Sequence, residues 1–136
     1  MTAQQKGAPI QGVTLYSFTR AFHGREYDLD QLIRKTAAEG FGPGLEIIGF
    51  SSFRGFPEID DHFAGRFSDL VDEVGLVRTS LAVNADIGLR PDKLMNQDEL
   101  LAYMRKQIAA AAKLGFPIAR VQISITPDSM EALAPI

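Results

Sequence analysis

The sequence predicts an α/β fold of four consecutive βα units with parallel strands. Three observations carry that prediction. A helix-like stretch ends three times in glycine plus a large apolar residue, at Gly40-Phe41, Gly75-Leu76 and Gly115-Phe116, with spacings of 35 and 40 residues. A repeat of that length, built from one strand and one helix, is the period of a parallel α/β architecture. Each glycine also precedes a short apolar run of strand length. The connections, finally, are asymmetric. Helix-to-strand links are two to four residues, whereas strand-to-helix links run over about 19–27, 49–59 and 85–95. In parallel α/β folds function gathers at the C-terminal ends of strands, so this asymmetry marks one face as functional.

The first strand reads Gly12 to Phe18. Its helix starts near Asp28, which has capping-box spacing to Gln31. Leu29, Leu32, Ile33 and Ala37 follow at helical intervals, and Gly40 supplies the left-handed end position. The second strand spans Gly44 to Ile48. A second helix from about Asp60 carries Phe63, Phe67, Leu70, Val71 and Val74 on one stripe. The third strand runs from Val77 to about Asn84. Its helix begins near Asn96 to Asp98, with Leu101, Met104, Ile108, Ala111 and Ala112 on the expected buried face. The fourth strand covers Ile118 to Ile125. Thr126-Pro127-Asp128 then reads as an N-cap, a first-turn proline and an acid against the helix dipole. No C-cap follows Leu133 and Ala134, so the fourth unit is expected to be cut short within its helix.

A unit length of 35 to 40 residues suits eight repeats closed into a (β/α)8 barrel of about 250 residues. The first strand-to-helix turn also lacks the tight glycine-rich phosphate loop of an open doubly wound sheet. The expected organisation is a flexible N-terminal tail over 1–11 and a (β/α)4 half-barrel over 12–136, the N-terminal half of such a barrel. With 14 Lys and Arg against 17 Asp and Glu, the charge argues against nucleic acid as a main partner. The absence of cysteine excludes disulfides and thiolate catalysis. No segment has the length of a membrane span and the N-terminus has no signal-peptide run, so a soluble, cytoplasmic protein without a membrane partner is expected.

The stretch Ala37 to Ile47 (AAEGFGPGLEI) resembles the pattern that opens xylose isomerase-like TIM barrels, and Ile118 to Ile123 after Lys113-Leu114-Gly115 is similar to their fourth strand. Gly42-Pro43 departs from the Asp-Gly usual there. That group includes sugar (phosphate) isomerases and epimerases, inosose dehydratases, hydroxypyruvate isomerases, endonuclease IV and the larger subunits of C-glycoside deglycosidases. The charge disfavours the endonuclease branch. The resemblance implies a sugar or polyol substrate and isomerase- or epimerase-like chemistry. It also implies a divalent metal (Mn, Mg, Co or Zn) in the full-length family, held by Glu, Asp, His and Glu on strands after the fourth. No metal ligand set and no catalytic residue is expected within this chain, which would then be inactive alone. The alternative is a non-catalytic half-barrel, because a four-stranded parallel sheet leaves two open edges and favours a homo-oligomer or a chain that supplies the second half-barrel.

Five residues are candidates for substrate binding. Glu46 lies inside a short apolar strand whose neighbours Leu45 and Ile47 face the helices, so it points inward, where an unpaired carboxylate is costly. It either binds a substrate hydroxyl, orients a metal ligand, or pairs with a buried Arg or Lys. His23 sits in the first strand-to-helix loop beside Arg20 and Arg25, as a contact to substrate, as an aid to proton transfer, or as a solvated histidine. Asn84, with Asp86, and Gln122, with Ser124, end the third strand and line the fourth, where amides and hydroxyls suit polyols and equally serve to cap strands and helices. Tyr16 is the fifth, at the barrel end of the first strand or in the core. Phe50, Phe53 and Phe56 offer a stacking wall for a sugar or, more simply, a hydrophobic plug on the pocket rim or a subunit contact. His62, near the start of the second helix, reads as exposed.

Overall fold

The computed structural model describes residues 8–88 and 92–133. The order of elements is β1 (Gly12–Thr14), a 3-10 turn (Leu15–Phe18), α1 (Thr19–His23), α2 (Leu29–Ala38), β2 (Gly44–Ile48), α3 (Gly49–Ser52), α4 (Asp61–Glu73), β3 (Val77–Gly88), α5 (Gln97–Lys113), β4 (Ala119–Ile125) and α6 (Pro127–Leu133). The strands form one parallel sheet in the order β1-β2-β3-β4, the arrangement of half a barrel. Residues 1–7 of the expected tail lie outside the described residues, and Gln11 is already tied down through its carbonyl, which accepts from Gly44 N. Ala134, which the sequence placed in the last helix, also lies outside them. Among the described residues no helix is long and apolar enough to cross a membrane.

The repeating glycines explain why the units resemble one another. Gly40, Gly75 and Gly115 have φ of 73°, 75° and 80°. At each, the glycine N–H reaches back three residues and the next residue's N–H reaches back five, to Thr36, Val71 and Ala111. This is the Schellman closure, which satisfies the last carbonyls of a helix and turns the chain back toward the sheet. The helix starts are equally local. Asp28 and Gln31 form a reciprocal capping box, Asn96 and Glu99 form another, and Asp60 Oδ1 accepts from Phe63 N.

One face of the sheet packs under the helices. Leu45, Ile47, Leu81 and Val83 are fully buried there, against Ile33 of α2, Phe67 and Val71 of α4, and Ala111 and Leu114 at the end of α5. Four phenylalanine rings stitch this layer: Phe67 lies 5.4 Å from Phe53, 6.4 Å from Phe63 and 5.9 Å from Phe116 between centroids. On the opposite face, residues of the other parity stand in register: Thr14 beside Glu46, Glu46 beside Ser80, Ala82 beside Arg120, and Asn84 beside Gln122.

Four expectations need correction. The first strand stops at Thr14, not Phe18, because the Thr14 hydroxyl accepts from Tyr16 N and starts a 3-10 turn. The long connections after β1 and β2 are not open loops but contain α1 and α3. The third strand continues to Gly88, beyond Asn84, paired with the full length of β4. The buried face of α5 is rotated from the expected one: Leu101, Ile108 and Ala112 are exposed, while Gln107, Ala110 and Ala111 are buried. This helix has apolar residues around much of its circumference, so its stripe alone did not define the face that packs.

Candidate functional site

The polar inner face begins with Glu46. Alternation along β2 sends Leu45 and Ile47 into the helix layer and leaves Glu46 on the other side, with its side chain only 19% exposed. A carboxylate so placed needs a cation, and β4 provides one. Arg120 donates from Nε to Glu46 Oε2 at 2.9 Å and from Nη2 to Oε1 at 3.1 Å, a bidentate fork across the intervening strand. Ala82 of β3 stands opposite Arg120 in register, and its small side chain leaves that path clear. Ser80 donates to Glu46 Oε2 at 2.7 Å. Burial pushes the Glu46 carboxyl up, but bonds from Arg120, Ser80 and Thr14, with the Arg120 charge, outweigh it and hold the group below its usual value. The same pairing raises the Arg120 guanidinium further.

A second polar pair lies one step along β3 and β4. Ser124 donates to Asn84 Oδ1 at 3.0 Å. Behind it, Gln107 of α5 is fully buried, accepts from Asn84 N at 3.0 Å and donates to Asn84 O at 2.7 Å. The pairing of β2 with β3 ends at Ile48 and Ala82, so the backbone of Asn84 has lost its strand partner on that side. The Gln107 amide takes the place of the missing strand.

An open hollow of about 500 Å³ lies over this face, lined by Thr14, Tyr16, Glu46, Ile48, Phe50, Arg120 and Gln122. Its volume falls in the range of small-molecule sites. It opens where β1 and β2 end, the face that the long connections marked. Of the sequence candidates, Tyr16, Glu46 and Gln122 meet here, and Tyr16 is exposed rather than in the core. Asn84 shares the face, held by Ser124. His23 does not join them: it lines a separate hollow with Phe22, Arg25, Tyr27, Asp28 and Gln31. The side chain of Asp86 lies outside the described residues. The three phenylalanines part ways. Phe53 is in the core, Phe50 is half exposed at the hollow, and Phe56 packs on Gly49. His62 is exposed, as expected.

Sequence reading missed Arg120, Ser80, Thr14 and Gln107. The demand of Glu46 for a cation, together with the shared parity of Arg120 and Gln122 on β4, was the available signal for the first. No comparable signal marked Gln107. Among the described residues no three His, Asp or Glu side chains gather closely enough to hold a metal ion.

Gly49 opens α3 directly after β2, next to Phe50. A Cβ added there would lie 2.6 Å from the Phe56 ring. Gly49→Ala is therefore expected to displace that ring and lower stability by about 1–3 kcal/mol, which urea denaturation would measure. An unchanged midpoint would mean that the Phe56 contact is absent.

No protein-family model matches the chain. It is 83% identical over 130 residues to a protein of Microbacterium trichothecenolyticum named C-glycoside deglycosidase alpha subunit, covering 96% of this chain and 35% of the relative. A protein of the same name from Arthrobacter globiformis is 74% identical over 96% of this chain and 36% of its own length. A Microbacterium protein named 3'-dehydrocarminate deglycosidase alpha subunit is 51% identical over 94% of this chain and 37% of the relative. The chain is thus similar along nearly its whole length to proteins named as deglycosidase alpha subunits, and it spans only 35–37% of theirs.

Proposed function

We propose that this chain supplies part of the sugar-binding wall of a deglycosidase alpha subunit, and that it acts with the rest of such a subunit and a partner chain. The observation that carries the reading is the polar row on the inner face of four parallel strands, with Tyr16 and Phe50 at its rim. Hydroxyls, amides and a guanidinium suit a polyol, and aromatic faces suit the apolar face of a sugar ring. In this reading Tyr16, Arg120 and Gln122 touch the ligand, Asn84 is steadied by Ser124, and Glu46 acts by holding Arg120. His23 contributes only to a ligand long enough to reach the first connection.

The need for further protein is supported by β4. Val121 and Ile123 on its helix-facing side are 48% and 62% exposed, and Ile118 beside it is 58% exposed. An apolar strand face left bare in this way favours a further βα unit or a second chain against it. The relatives' naming as alpha subunits supports a partner as well. Isomerase or epimerase chemistry has weaker support, because the relatives found carry deglycosidase names. The divalent metal is assigned, in this proposal, to residues of the remaining barrel.

The test is a chimera. The 130 matched residues of the M. trichothecenolyticum protein are replaced by those of this chain and the product is assembled with its partner subunit. We expect deglycosidase activity on a C-glycoside within about tenfold of the parent, and a raised KM for Tyr16→Ala or Gln122→Ala in the chimera. An assembled, folded chimera without activity would overturn the proposal.

A further inference from the structure

We propose that Glu46 is the specificity-determining residue of the inner-face hollow: by clamping Arg120 it converts an anion receptor into a site for uncharged, polyhydroxylated ligands and excludes phosphorylated ones. This deepens, and rests on, the sugar-wall reading. Among the described residues that line the hollow, Arg120 is the one cation and Glu46 the one anion, so the site is neutral as built. A free arginine fork is the preferred receptor for phosphate, which it grips with two parallel N–H bonds. Here the side-on fork is occupied, and the end-on pair that remains lies next to the bound carboxylate. Nε and Nη2 both donate to the two oxygens of Glu46.

The carboxylate is held in turn. Ser80 donates to it at 2.7 Å and Thr14 adds to its stabilisation from the neighbouring strand. With its side chain 19% exposed and paired, Glu46 cannot swing away without losing those bonds. A phosphate dianion entering the hollow would approach Arg120 only at the cost of lying beside this carboxylate, and like charges a few ångströms apart repel strongly at the edge of a protein. A guanidinium has five N–H donors, of which Glu46 uses two. Three remain for neutral acceptors. Hydroxyl, ether and carbonyl oxygens accept from them without a charge penalty, and Gln122 and Tyr16 offer both donors and acceptors beside them.

The experiment follows the Arg120 Nε–H resonance of the full chain by NMR at low ionic strength, where screening is weak. Wild type and Glu46→Gln are each titrated with inorganic phosphate at pH 7, and wild type separately with glucose. Phosphate is expected to leave the wild-type resonance unmoved and to shift that of Glu46→Gln saturably, with affinity at least about tenfold higher. Saturable phosphate binding at Arg120 of wild type would overturn the proposal, and this result needs no variant to fold. So would a folded Glu46→Gln protein that gains no phosphate binding. The glucose titration reports on the underlying reading: no response of the Arg120, Tyr16 or Gln122 signals sinks the sugar wall, while the phosphate arms still decide charge selection.

Discussion

Phe67→Ala is expected to lower the stability of the chain by about 3–5 kcal/mol, the range for removing a buried aromatic ring. Phe67 is 4% exposed and sits where α4, the connection after α3 and the strand entry after α5 meet. Its ring makes edge contacts with Phe53 at 87° and lies nearly parallel to Phe63 at 11° and to Phe116 at 30°. Truncation removes the transfer energy of the ring and leaves a void that three other rings line. None of them can collapse into it without losing its own contacts. Since small domains are stable by only about 5–15 kcal/mol, one such change consumes a large share. Urea denaturation would show the midpoint falling at constant slope. Phe50→Ala, at a half-exposed ring on the hollow, is the control and should cost under about 1 kcal/mol. A loss at Phe67 no larger than at Phe50 would show that the aromatic cluster does not hold the three units together.

These two phenylalanines also show what the sequence can and cannot disclose. Features whose cause lies within one turn of chain were legible. The glycines at 40, 75 and 115 close helices through bonds to residues three to five positions back, and Asp28 and Gln31 cap each other three positions apart. The stripe of α4 was legible too, because its apolar residues fall on one side only. What was not legible depends on register between distant strands. Glu46 signalled its inward position through alternation, but its partner lies 74 residues away, and only the pairing of β2 with β3 and β3 with β4 brings Arg120 over Ala82 to meet it. Phe53 and Phe50, three residues apart in one connection, have opposite fates because Phe50 lies within the short helix α3, whereas the backbone at Phe53 has left it for an extended conformation (φ −106°, ψ 119°). Tyr16 was ambiguous for the same reason: the 3-10 turn after Thr14 decides which way it points.

Gln107 was hidden by its own surroundings, and the second large effect is expected there. A polar residue amid Leu101, Met104 and Ile108 reads as the solvent side of a helix, yet it is fully buried and bonded twice to one backbone unit. Gln107→Leu keeps the volume and removes both bonds. It leaves the N–H and C=O of Asn84 without their partner beyond the end of β2, at about 1–3 kcal/mol for each group, so a loss of about 2–6 kcal/mol is expected. Gln107→Glu separates this account from simple packing by its pH dependence. A protonated carboxyl can imitate the amide, accepting from Asn84 N and donating to Asn84 O, whereas an ionised one faces that carbonyl with no hydrogen to give. Burial and this geometry both raise the pKa of the introduced acid in the folded state above its unfolded value of about 4.3. The variant should therefore approach wild-type stability below about pH 4, where both states hold the proton. As pH rises above that value the unfolded chain releases the proton first, and stability should fall by about 1.4 kcal/mol per unit until the folded acid also ionises. Wild type, with an amide there, has no such term, so the difference between the two denaturation curves across pH isolates it. A difference that stays flat from pH 3 to pH 7 would mean that Gln107 does not bridge the two groups of Asn84, and that the inner face is positioned by β4 alone.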